Sequence, residues 1–345
     1  MKTKIINNKF ITDEQISFYN TYRSTDISQD LLIDPLYTNY VRDVDNIYVY
    51  QNDTANLSFD TNFPKSNLLQ ESMAEEVRVS SYEVSSGVFL AGITIDLDNS
   101  SIGDYDCIAI RFNRNNEVLK NLIKSGANIF IAAHGSLTNV NSSTGGGGAS
   151  KEIYQVSLKQ TSTSFGTDTF STNMIDPEDP VIIIDKTLRQ HMTQYNLVND
   201  LPFQYISVWF THSADFTFSV SNVSVTNGVD FDDYFINGKI DSSRVSLTKT
   251  TYSPDRYSIK DVRGFYKKFK GNIDLLDNTQ GLDLRKKVFD FCKDEGFFIF
   301  PNMEDQNFYM ESLRSGGLYR MKEEFKVENT RYNIYNTSLD LEEVV

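Results

Sequence analysis

The sequence predicts a mainly β chain: an antiparallel β-sandwich or jelly-roll-like body, an α+β C-terminal segment with a helical region, and an extended N-terminal arm. Three observations carry this reading. In Phe203–Gly228, Phe216, Phe218 and Val220 alternate with Thr217 and Ser219 and, after one break of phase, Val223 and Val225 continue the pattern. A period of two built from aromatic and β-branched residues marks half-buried antiparallel strands, and the closing Asn227-Gly228 marks a hairpin turn. Short apolar runs separated by Ser, Gly and Asn recur between residues 71 and 250, without the βαβ alternation of a parallel sheet. Beyond Thr251 the spacing becomes helical.

Residues 1–70 read as an arm. Thr12-Asp13-Glu14-Gln15 forms a capping box for a short helix through Ile16, Tyr19 and Tyr22. Pro35 and Pro64 interrupt helices, so extended chain with one strand at 46–51 is expected next. The arm scatters Leu31, Leu32, Leu36, Tyr37, Tyr40, Ile47 and Tyr48 among Asp, Asn and Pro, so no single amphipathic helix can bury them. Such residues fit a segment that packs on another surface, including a neighbouring subunit.

Residues 71–250 form the body, with strands expected at 76–84, 87–97, 106–112, 128–133, 153–160, 181–185, 204–211, 215–226 and 244–250. Asn116–Ser125 carries Val118, Leu119, Leu122 and Ile123 at helical spacing and stops at Gly126, so it reads as a helix; 187–197 is a weaker second one. In residues 251–345, helices are expected at 284–292 and 305–326, the latter broken by Gly316-Gly317. Gly296–Pro301 reads as a short buried strand and 329–345 as a peripheral strand with an acidic end.

Composition bounds the function. The chain has 345 residues, 24 Phe, 19 Tyr and one Trp, and a net charge of −14. Residues 1–250 hold 18 Lys/Arg against 30 Asp/Glu, which argues against gripping nucleic acid or anionic membranes through counterion release. Cys107 and Cys292 are the only cysteines, so a disulfide framework and a cysteine-based zinc cluster are excluded. The N-terminus lacks the apolar core of a signal peptide and no run approaches a membrane span, so synthesis in a cytoplasm without membrane insertion is expected.

No motif with chemistry reaches the pattern that its chemistry needs. Ser143–Ser150, STGGGGAS, is followed by a strand-like segment instead of the helix whose N-terminus would cradle a phosphate. His134-Gly135 follows an apolar strand, but no GxSxG elbow exists, and nothing in the spacing of His134, His191 and His212 selects a triad. Three histidines without HxH or HExxH give no helix-borne metal site, and the Asp96–Ser100 stretch lacks the Gly and Glu of a calcium loop. Asp230, Asp232 and Asp233 read as a solvated acidic turn. The sequence therefore predicts a non-enzyme with no cofactor, no metal and no small-molecule substrate.

One basic segment stands out. Arg256, Arg263, Lys267, Lys268 and Lys270 are interleaved with Tyr257, Phe265, Tyr266 and Phe269. The pattern could stack bases, but Asp261 dilutes it and the body is acidic; a docking face for another copy of that body fits at least as well. Together with Leu31, Leu32, Leu36, Tyr37, Tyr40 and Tyr48, these cations are the expected assembly contacts.

An acidic Asn/Tyr/Phe-rich chain with an aromatic arm, the Gly145–Gly148 loop and a β-rich body resembles a virion protein of a tailed bacteriophage. The resemblance implies a neck, ring, tail or fibre-attachment component in the virion, whose partners are copies of itself and other virion proteins. The alternative is a carbohydrate- or receptor-binding sandwich module, which would present Trp and Tyr on one sheet face; Trp209, inside an apolar strand, argues against it.

Overall fold

The computed structural model describes residues 4–7, 39, 41, 43–50, 58–97, 107–134, 151–157, 178–185, 205–230, 241–247, 249–252, 258–261, 264–277, 279–281, 296–300, 316–322, 328–331 and 334–345. In chain order the strands begin β1 (Lys4–Asn7), β2 (Ile47–Val49), β3 (Val77–Ser80), β4 (Tyr82–Ser85), β5 (Val88–Asp96) and β6 (Cys107–Arg111). Helix α1 (Glu117–Lys124) leads into β7 (Asn128–His134), β8 (Lys151–Ser157), β9 (Val181–Asp185) and β10 (Tyr205–His212). Then come β11 (Thr217–Val220), β12 (Asn222–Thr226), β13 (Val229–Asp230) and β14 (Asp241–Ser246). The chain closes with β15 (Lys249–Tyr252), β16 (Ser258–Asp261), β17 (Phe265–Leu276), β18 (Phe297–Phe300), β19 (Gly317–Met321), β20 (Glu328–Arg331) and β21 (Ile334–Glu343).

The fold is mainly β, and every strand pair among the described residues is antiparallel, as the period-two pattern requires. A six-stranded sheet runs β2-β5-β10-β7-β8, with β4 on β5. A three-stranded sheet, β12-β6-β9, and a two-stranded one, β11-β3, complete the body. An eight-stranded sheet runs β13-β1-β18-β19-β21-β17-β14, with β20 on β21, and β15-β16 stand as a separate pair. The eight-stranded sheet thus draws strands from all three segments of the chain.

One continuous apolar core joins these sheets. Ile93, Ile131, Val208 and Phe210 of the six-stranded sheet share it with Ile108, Ile110, Val79, Phe218, Val223 and Val225. Phe210 sits at the meeting point: Phe218 touches it edge-on at 5.2 Å and 86°, and Phe112 packs 5.7 Å away. Each such side chain contributes roughly 1.5–3 kcal/mol by leaving water. Helix α1 closes one part of the core with Leu119, Leu122 and Ile123. Its start is fixed by Asn116, whose side chain accepts from Leu119 N at 3.1 Å, and its stop by Gly126 at φ 92°. Phe298, Leu318 and Val344 bring the eight-stranded sheet into the same core.

Several expectations are corrected. The expected strand 215–226 is two strands. The chain changes partner at Ser221, so that β11 pairs β3 and β12 pairs β6. The break in hydrophobic phase marked that switch. Asn227-Gly228 does not close a hairpin: β12 stays with β6, whereas β13 crosses to β1 in the eight-stranded sheet. The helix expected over 305–326 is overturned where it is described, because Gly317–Met321 is a strand held between β18 and β21. A short apolar run reads equally as helix or strand until its partners supply the ladder. The expected helix 284–292 lies outside the described residues, as do 187–197, the capping-box helix and Ser143–Ser150. The tail is not peripheral. β21 pairs β19 on one side and β17 on the other, with Leu339 and Leu341 buried.

Candidate functional site

The site that the fold builds is a group of charged side chains where the body meets the eight-stranded sheet. β17 alternates, with Lys267, Phe269 and Gly271 buried. β21 alternates likewise, so Thr337, Leu339, Leu341 and Glu343 are buried and Glu343 points inward at its end. The backbone N–H of Lys267 donates to Glu343 Oε2 at 2.8 Å, which fixes the carboxylate beside the lysine. The body supplies Arg114, three residues beyond β6, and Asp179, two before β9. All four residues are at most 5% exposed.

Their geometry is a closed circuit of opposite charges. Arg114 Nη2 lies 2.5 Å from Glu343 Oε2 and its Nη1 lies 3.5 Å from Asp179 Oδ1. Lys267 Nζ contacts Asp179 Oδ2, donates to the Gly316 carbonyl and sits 4.0 Å from Glu343 Oε1. The Phe265 ring packs under both Arg114, 4.5 Å away, and Arg244, 4.7 Å away. Arg244, at the half-exposed rim, lies 3.6 Å from Asp179 Oδ2. Gly317 makes the approach possible, since a Cβ there would come within 3.2 Å of Glu343 Oε1 and 3.6 Å of Lys267 Nζ. Two cations against two carboxylates make this four-residue circuit formally neutral, which lowers the cost of burying its charges. Asp179 Oδ2 and Glu343 Oε1 have charge partners but accept no hydrogen bond.

The neighbours feel this cluster. Arg111 is buried and donates to the Val344 carbonyl at 2.7 Å and to the Glu71 carbonyl. Burial lowers its pKa to about 10, against an upward pull from Glu343, so it stays cationic at neutral pH. Tyr319, between β18 and β21, is pushed well above the ordinary phenol value, first by burial and then by Glu343 and Asp179.

The expected assembly residues scatter. Leu31, Leu32, Leu36, Tyr37, Tyr40, Arg256 and Arg263 lie outside the described residues. Tyr48 is half-exposed on β2, beside Ile47, which is buried in the chain's own core. Lys268 stacks its ammonium over Tyr266 at 5.4 Å, and Lys270 pairs with Asp340 at 2.8 Å across the β17–β21 ladder. Lys267 is corrected: it faces the interior and is no exposed contact. Arg114, Asp179 and Glu343 went unread in the sequence. The signal was the phase of Lys267 and Glu343, each standing where its strand's alternation demands a buried residue.

A second feature lies on the far face of the six-stranded sheet. Trp209 stacks between Tyr50 at 4.6 Å and Phe130 at 5.2 Å, nearly parallel to both. Gly92 pairs with Trp209 across β5 and β10, and a Cβ there would fall 2.4 Å from the Trp209 Cβ. The missing side chain lets Tyr50 lean across the gap, an aromatic covering of a strand glycine. His212 serves the body's other end. Its Nε2 lies 3.0 Å from Ser125 Oγ, its Nδ1 faces the Ala214 backbone, and Ser125 Oγ donates to Leu122 O at 2.8 Å. These contacts tie the end of α1 to β10, and the ring's hydrogen-bond partners include no carboxylate.

Among the described residues no group of three His, Cys, Asp or Glu side chains is arranged to hold a metal, and no helix is long and apolar enough to cross a membrane. No protein-family model, curated protein or solved structure matches the chain.

Proposed function

We propose that this chain is a non-catalytic structural component of a virus particle of the tailed-phage kind, acting by self-assembly and by docking to other virion proteins. The body is then read more finely as a β-sandwich or jelly-roll relative. The observation that carries the proposal is the β15–β16 ribbon. Four residue pairs, from Lys249↔Asp261 to Tyr252↔Ser258, join two strands that pair with no other among the described residues. A two-stranded ribbon is marginal in water by itself. The ribbon follows β14 in the chain, the last strand on the path of the eight-stranded sheet among the described residues. Another copy supplies the ribbon with further strand partners through its backbone. Mass measurement of the purified protein over a range of concentrations tests this. Full-length protein forms a defined oligomer and a chain lacking residues 249–261 stays folded and monomeric; a full-length protein that is monomeric throughout refutes the proposal.

A carbohydrate- or receptor-binding role is the second reading, favoured by Trp209. The residue lies on the outer sheet face with Tyr50 and Phe130, not inside the main core, which removes the sequence-based objection to it. Its two ring faces are already stacked, however, so a sugar would meet ring edges there. A glycan array probed with native protein and Trp209→Ala tests this reading: glycan binding that the substitution abolishes supports it.

A further inference from the structure

We propose that Lys267 and Asp179 react to form an intramolecular amide, with Glu343 as the proton carrier. Three requirements of the chemistry meet in this cluster. The nucleophile must be held against its electrophile: Lys267 Nζ contacts Asp179 Oδ2, and both residues are buried. A second carboxylate must stand beside the amine: Glu343 Oε1 lies at ion-pair distance, 4.0 Å from Nζ, and the other oxygen is pinned by the Lys267 N–H at 2.8 Å. A cation must face the oxygen that stays: Arg114 Nη1 lies 3.5 Å from Asp179 Oδ1.

The step balances within the protein. The ammonium of Lys267 passes a proton by way of Glu343 to Asp179 Oδ2, and the freed Nζ lone pair attacks Cγ of the neutral carboxyl. Negative charge grows on Oδ1 opposite Arg114. Glu343 then carries a second proton from Nζ to Oδ2. The Cγ–Oδ2 bond breaks, the N–C bond is complete, and Oδ2 leaves as water carrying both protons. Glu343 ends as it began, a carboxylate. Nothing is oxidised or reduced and no co-reactant is needed.

Solvation favours the product. Two buried charges carry a desolvation penalty, and the amide replaces them with a neutral group. The bond would weld β17 of the eight-stranded sheet to the segment entering β9 of the body. The inference rests on the cluster alone and stands whether or not the chain assembles.

Intact-mass measurement of the full-length protein under denaturing conditions tests it. The expected mass is below the sequence mass by one water, and peptide mapping yields one branched peptide joining the segments that carry Asp179 and Lys267. Lys267→Met and Glu343→Gln chains are expected at their full sequence masses. Native protein at its full sequence mass overturns the proposal without reference to any variant. A branch at Glu343 overturns the choice of electrophile, and a folded Glu343→Gln chain that still loses water overturns the role given to Glu343.

Discussion

The core around Phe210 and the junction around Lys267 are equally buried but held together by different forces. The first is apolar, shared by β5, β6, β7, β10, β11 and β12, and tolerant of modest geometric change because dispersion and burial have no preferred direction. The second packs Arg114, Asp179, Lys267 and Glu343 against Phe265 and Tyr319, and it is stable only while every charge keeps its partner or, for Lys267 and Asp179, is neutralised in the amide between them. Apolar burial builds the body and reaches the eight-stranded sheet through Phe298, Leu318 and Val344; the junction around Lys267 fixes how that sheet sits on it. Removing a group should therefore fail differently in the two places.

The largest effects belong to single deletions in either core. Phe218→Ala should cost about 3–5 kcal/mol, read from the denaturant midpoint, because it empties the space edge-on to Phe210. Lys267→Ala should cost about the same, because it leaves Arg114 as the one buried cation of the cluster against the two carboxylates of Asp179 and Glu343. The comparison sharpens with a second change. Lys267→Met combined with Asp179→Leu should be more stable than the Lys267→Ala single variant, since no lone charge remains. In the apolar core, Phe210→Ala added to Phe218→Ala should only destabilise further. Strictly additive losses at the charged junction would erase the distinction.

The smallest effect belongs to a surface pair that resembles the junction only on paper. Glu178 meets Lys124 at 2.7 Å and Lys120 at 3.2 Å, half in water. Hydrogen bonds from Lys124 and then Lys120 hold its carboxyl below the ordinary 4.5. Burial works against the charge of Lys120, but bonds from Glu117 and Glu178 outweigh it and raise its pKa. A carboxyl with a depressed folded value contributes stability above the unfolded value and loses it as pH falls through the folded one. Glu178→Gln should thus cost roughly 0.2–1 kcal/mol at neutral pH and nothing below that window. Thermal unfolding from pH 7 down through the acid range checks it, and a penalty that does not shrink as pH falls would contradict the electrostatic account.

Legibility followed the same divide. Phe216, Phe218, Val220, Val223 and Val225 were readable as buried because their spacing is local, and β9 was found with its bounds at Val181 and Asp185. Helix α1 was readable from Leu119, Leu122 and Ile123 between Asn116 and Gly126. The junction was not. In the sequence Lys267 reads as a surface cation, because charge usually means exposure. Its partners lie far along the chain and no local pattern links them. The partner switches at Ser221 and after Asn227-Gly228 were missed for a related reason, since a turn dipeptide specifies a bend and not the strand that receives the chain. The strand Gly317–Met321 carried helical spacing by chance, and only pairing with Phe297–Ile299 and Tyr319–Met321's partners on β21 decides it.

The claim that matched charges lock the eight-stranded sheet to the body is tested most directly by native-state hydrogen exchange on β17 and β10. In the native protein, the amides of Lys267–Gly271 and of Ile206–Phe210 should open with the same free energy, as one cooperative unit. In Lys267→Met the β17 amides should open first while those of β10 keep their protection. Amides of β17 that open well before those of β10 in the native protein would contradict the account.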